Sequence, residues 1–89
     1  MPSVEAQIVN RLGLHARAAA KLTHLASGYQ SEIWLSRSGR RVNAKSIMGV
    51  MMLAAGQGTK VLIEAEGADA PQALQALLGL IADRFGEGE

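Results

Sequence analysis

Gly13-Leu14-His15-Ala16-Arg17 puts a histidine two residues ahead of an arginine, at the point where the chain changes character. Before it, Val4, Ala6 and Ile8 alternate with polar residues; after it, Ala16 to Leu22 is alanine-rich and reads as helix. A helix that starts at this seam leaves its first backbone N–H groups without an intrahelical carbonyl. With the positive end of the helix dipole, those donors make a site for an anion. Arg17 adds a planar cation whose fork matches phosphate oxygens. Imidazole is a nucleophile near neutral pH. The combination describes a neutral His15 that accepts a phosphoryl group, with the amides of Ala16 and Arg17 and the Arg17 guanidinium holding the dianion. The competing reading makes His15 a polar helix cap and Arg17 a solvated charge.

A second stretch is built like a helix start. Ser46 precedes the apolar run Ile47 to Ala55, which Gly56 closes, and serine there is a good N-cap. The run is about two and a half turns long and apolar almost all round. A helix so short cannot bury every side, so Met48, Met51 and Met52 are expected to divide between core and a docking surface, a task that suits methionine. His24 lies nine residues beyond His15, about 900° around the helix and so on its opposite side. The two histidines therefore cannot share a metal, and His24 reads as a surface residue. No serine sits in a nucleophile-elbow context.

Composition narrows the classes further. Aromatic residues make up 3% of the chain and the net charge is +1, which argues against a nucleic-acid binder. The absence of cysteine removes disulfides, thiol catalysis and cysteine-zinc sites. No metal site or cofactor is expected, no apolar run approaches membrane-spanning length, and the N-terminus lacks a signal pattern. A cytoplasmic monomer without membrane insertion is the expectation.

The remaining chain supplies the elements that must hold these residues. Val4 to Ile8 reads as a first strand, and the first helix runs to Gly28. Ser31 to Ser36 reads as a second strand, with Ile33 and Leu35 on one face and Glu32 and Trp34 on the other. Ser38-Gly39 turns the chain into a short third strand over 40–43, where Arg40 and Arg41 would protect a sheet edge. Lys60 to Glu66 is the strongest strand pattern. Asp69 is expected to cap a last helix with Pro71 in its first turn, and Leu74, Leu77, Leu78, Ile81 and Phe85 form one face of it. Gly86 to Glu89 reads as a frayed tail. The order βαββαβα over residues 1–89 predicts a single α+β domain: an open-faced β-sandwich whose four-stranded antiparallel sheet carries helices on one face.

Two motifs in register, Gly13-Leu14-His15-Ala16-Arg17 and Asn43-Ala44-Lys45-Ser46-Ile47-Met48-Gly49-Val50-Met51-Met52, resemble the active-histidine and regulatory-serine signatures of HPr. HPr proteins are the histidine-containing phosphocarriers of the bacterial phosphoenolpyruvate-dependent phosphotransferase system. The resemblance covers essentially the whole chain. It implies a phosphohistidine on Nδ1 of His15, formed by enzyme I and passed to enzyme IIA-type proteins. It also implies that an ATP-dependent HPr kinase/phosphorylase acts on Ser46. The chain is thus expected to be a phosphocarrier and not an enzyme turning over a small molecule. One departure is Ala18, which stands where sugar-system members usually carry proline. Alanine there resembles some nitrogen-related variants, so the alternative is a nitrogen-related or purely regulatory HPr-like interaction module.

Overall fold

The computed structural model describes residues 2–88, and its elements follow the sequence pattern closely. Strand β1 (Ser3–Gln7) leads through a loop to helix α1 (Ala16–Ser27), then to the hairpin of β2 (Glu32–Arg37) and β3 (Arg40–Asn43). Helix α2 (Ile47–Met52), strand β4 (Lys60–Glu66) and helix α3 (Ala70–Ala82) complete the layers. The sheet order is β1-β4-β2-β3, with every neighbouring pair antiparallel. Thus β4 lies between β1 and β2, which are joined through α1, and β2 lies between β3 and β4, which are joined through α2. This is the interleaved pair of split βαβ units that the element order predicts.

Alternation puts Ala6, Ile33, Leu35, Val61, Ile63 and Ala65 on the inner face of the sheet, all buried. Against them α1 packs Ala18, Ala19, Leu22 and Ala26, and α3 packs Ala73, Leu74, Leu77 and Ile81. Alanine on the buried stripe of α1 lets that helix sit close to its neighbours. On the open face the Arg41 guanidinium lies 4.1 Å from the centre of the Trp34 ring and 3.5 Å from the Glu64 carboxylate.

The structure corrects three expectations. Helix α2 ends at Met52, not at Gly56, and the chain leaves it through Ala54 in a left-handed conformation with φ 51°. Its last carbonyls are covered instead by the hairpin: Arg40 donates to Met52 O and Arg37 to Leu53 O, each at 2.9 Å. Asp69 precedes α3 without a side-chain capping bond. Its carboxylate accepts the backbone N–H groups of Gln30 and Ser31 at 2.9 Å and the Ser31 hydroxyl, which pins the start of β2.

The third correction concerns the C-terminal segment. Helix α3 stops at Ala82, and Phe85 belongs to a separate 3-10 turn over Arg84–Gly86. Its φ of 55° turns the ring back into the core, where it is fully buried. The Lys21 ammonium donates to Phe85 O at 2.6 Å. Gly86 and Glu87 are therefore not part of a frayed tail: they are anchored, and Glu87 is carried to the start of α1. Glu89 lies outside the described residues.

Candidate functional site

The loop before α1 is fixed by a close backbone approach. Gly13 has φ 67°, and a Cβ there would lie 2.6 Å from Ala55 O and 2.8 Å from Gly56 Cα. Glycine is required at that crossing. Leu14 is buried and its N–H donates to Ala55 O at 2.9 Å, so the loop carrying His15 is tied to the chain leaving α2. His15 is the N-cap residue of α1, with extended backbone (φ −74°, ψ 177°) and no side-chain capping bond. The first intrahelical bond runs from Ala19 N–H to His15 O at 2.8 Å. The earlier amides of Ala16, Arg17 and Ala18 therefore have no carbonyl within the helix.

The imidazole is not a polar cap. It borders an open depression of about 380 Å³ lined by Arg11, Leu12, His15, Arg17, Gly86 and Glu87. Arg17 is exposed there, beside His15. His15 Nε2 lies 2.5 Å from Glu87 Oε2, and Glu87 Oε1 accepts from Asn10 Nδ2 at 3.0 Å. Asn10 is fully buried and its Nδ2 also donates to Gly13 O at 2.8 Å, so one side chain braces both the loop and the carboxylate. The hydrogen bond from Asn10, then that from His15, hold the Glu87 carboxyl below the usual glutamate range against desolvation, and the Lys21 charge acts in the same direction.

Asn10 and Glu87 do not stand out in the sequence pattern. Asn10 reads as an ordinary loop residue, and Glu87 as part of a Gly-Glu repeat. The one signal is Phe85, a large apolar residue near the chain end, whose burial anchors Gly86 and Glu87 behind it.

The second motif is also built as its residues suggest. Ser46 is half-buried, and its Oγ accepts Gly49 N–H at 3.1 Å, closing the N-cap of α2. Val50 and Leu53 fill the core beneath, whereas Met48, Met51 and Met52 are 70%, 38% and 57% exposed. Ile47 and Leu12 are exposed as well. The expected division of the methionines is therefore one-sided, since none of the three is buried. His24 is exposed. Among the described residues no cluster of three or more His, Cys, Asp or Glu is placed to hold a metal, and no helix is long and apolar enough to cross a membrane.

Residues 2–83 match the sequence profile of the family described as the PTS HPr component phosphorylation site. The chain belongs to the HPr family. It is 63% identical to the phosphocarrier protein HPr of Cupriavidus necator over 82 residues, 92% of each chain. With that of Pseudomonas aeruginosa it shares 50% over the full length of both. The crystal structure of an HPr from Thermoanaerobacter tengcongensis superposes with a TM-score of 0.94 at 47% identity, covering 98% of each chain. The fold is the HPr-like open-faced α+β sandwich, and membership supports a phosphocarrier role in the phosphotransferase system. Glu87 lies beyond the residues that the family profile matches.

Proposed function

We propose that this HPr-family chain accepts a phosphoryl group from enzyme I on His15 and passes it to enzyme IIA-type proteins. The observation that carries this reading is the start of α1. There the imidazole makes no capping bond, the first-turn amides lack intrahelical partners, and Arg17 borders the same depression. The Nδ1 lone pair attacks the phosphoryl group, and the amides with the Arg17 guanidinium hold the transferred dianion. Stabilisation is moderate because the site is open to solvent, which suits a group that must leave again. Ala18 sits in the first turn of α1. Unlike proline it retains its N–H, one more donor near the anion.

Leu12, Ile47, Met48, Met51 and Met52 supply the apolar surface on which the larger partner proteins dock, and the chain acts as a cytoplasmic monomer. Ser46 is a regulatory phosphorylation site for an HPr kinase/phosphorylase. A phosphate there meets the first-turn amides of α2 favourably, and it adds a dianion that must be desolvated when a partner covers the methionines. A purely regulatory module is disfavoured by the intact pairing of His15 with Arg17.

Incubation with enzyme I and phosphoenolpyruvate tests the central step. One phosphoryl group should be added, labile in acid and stable in base as a phosphoramidate is, and His15→Ala should abolish it. Labelling that persists in His15→Ala, or that maps to His24, rejects the reading.

A further inference from the structure

The geometry points to Glu87 as a positioning residue for phosphoryl transfer: its carboxylate holds the proton on Nε2 of His15 throughout the cycle, leaving Nδ1 as the nucleophile. The inference rests on the phosphocarrier reading of His15 and adds to it a residue outside the family's matched segment.

An ionised carboxylate only accepts hydrogen bonds. With Glu87 Oε2 at 2.5 Å, Nε2 must therefore be the protonated nitrogen, and the lone pair of the neutral ring lies on Nδ1. Glu87 is held in its ionised form by the Asn10 amide on its other oxygen. It is not a loose tail side chain, because the buried Phe85 and the Lys21 bond to Phe85 O fix the backbone just before it. The arrangement has the logic of an aspartate that fixes the tautomer of a catalytic histidine and balances the imidazolium that forms.

The transfer step balances without any proton moving. The Nδ1 lone pair forms the N–P bond as the donor's bond to phosphorus breaks, its electron pair leaving with the donor. The ring keeps its Nε2 proton and becomes a phospho-imidazolium, whose positive charge faces Glu87. In the forward step the N–P pair returns to Nδ1 as the acceptor's bond to phosphorus forms, which restores the neutral Nε2–H ring. A cationic ring is the better leaving group, so holding the Nε2 proton keeps the phosphoryl group transferable. Around this ring Arg11 and Arg17 are cations lining the depression, Lys21 acts on Glu87 from α1, and among the described residues Glu87 is the only acidic one lining it.

The test uses the full chain with 15N-labelled histidine, phosphorylated by phosphoramidate, a small donor that needs no docking surface. Coupling to 31P reports which ring nitrogen carries phosphorus, and the ring 15N shifts follow Nε2 protonation with pH. In the native chain phosphorus should couple to Nδ1, and the phosphorylated ring, facing the carboxylate, should keep its Nε2 proton to higher pH than in Glu87→Gln. Glu87→Ala should in addition yield product phosphorylated on Nε2. Unchanged amide spectra would show that both variants fold. Native and Glu87→Gln rings that titrate together, with Glu87→Ala phosphorylated on Nδ1 alone, overturn the positioning role while leaving the carrier reading intact. A native His15 labelled by neither phosphoramidate nor enzyme I overturns both.

Discussion

The starts of α1 and α2 share a backbone geometry and differ in what the first side chain does. Both His15 and Ser46 are extended, and each carbonyl accepts the first bond of its helix, from Ala19 N–H at 2.8 Å and Val50 N–H at 3.0 Å. Ser46 turns its hydroxyl inward to Gly49 N–H, a local contact that completes the helix end. His15 leaves its own helix end uncapped and reaches Glu87, 72 residues away in sequence. The start of α2 is a structural closure; that of α1 keeps open donors beside an imidazole held by a distant segment. The far ends differ in the same sense. Helix α1 closes on its own backbone through Gly28 N–H to Leu25 O, whereas α2 needs Arg37 and Arg40 from the hairpin. So α2 is clamped at both ends with its methionines outward, a firm platform beside the open start of α1.

If that contrast is right, damage to each start should be read by a different measurement. Arg17→Ala removes the cation from the open start and should slow phosphoryl transfer by roughly 10²–10³-fold, the effect of losing one charge-stabilising donor. Its denaturation curve should overlay the native one, because Arg17 is exposed. Unchanged transfer kinetics would make Arg17 a surface charge. On the platform, Met48→Glu and Ser46→Asp each add negative charge beside the proposed docking face. Weaker enzyme I binding, roughly tenfold for a loss of 1.4 kcal/mol, is expected with stability held within about 0.5 kcal/mol for Met48→Glu. Native affinity in both variants would remove the platform's role. Ser46→Ala inverts the pattern: a lost cap costs about 1 kcal/mol, visible in urea denaturation, while labelling of His15 continues.

How much of this was legible depends on the range of the interaction. Local ones were: Ser46 caps α2 as a serine before an apolar run should, and period-two alternation put Ile33 and Leu35 on one face of β2, the face the structure buries, and Trp34 on the other. The His15–Arg17 pairing needed only the position of the helix start. What escaped the pattern were residues whose partners are distant in sequence. Asp69 looks like a cap for α3, because a local rule does not know that the start of β2 passes close by with two amides and a hydroxyl to offer. Gly86 to Glu89 looks frayed because small and charged residues are usually solvated. The two left-handed residues Arg84 and Phe85, with φ 56° and 55°, bend the chain back where a helical face would have carried it on. Exposure of the methionines was half legible: the run was too apolar for its length, but which side faces out depended on where the sheet lies.

Asp69 offers the subtlest check, because it is a third helix start whose side chain serves neither its own helix nor chemistry. The bonds from Ser31 and Gln30, chiefly the Ser31 hydroxyl, hold its carboxyl below the ordinary value of 3.8, against the opposing effect of burial. The unfolded chain, lacking these partners, therefore takes up the proton at higher pH than the native one. The resulting stabilisation is complete above the ordinary value and disappears as pH falls through the lowered native one. Glu87 contributes with the same sign through Asn10 and His15. Asp69→Asn, which loses the charge but keeps an acceptor, should accordingly be less stable than the native protein at neutral pH, and the gap should narrow on acidification below about pH 4. Melting temperatures measured across that range decide the matter. A gap constant from neutral to acid pH would mean that the start of β2 is held by shape and hydrogen bonding alone, with no part played by the carboxylate's charge.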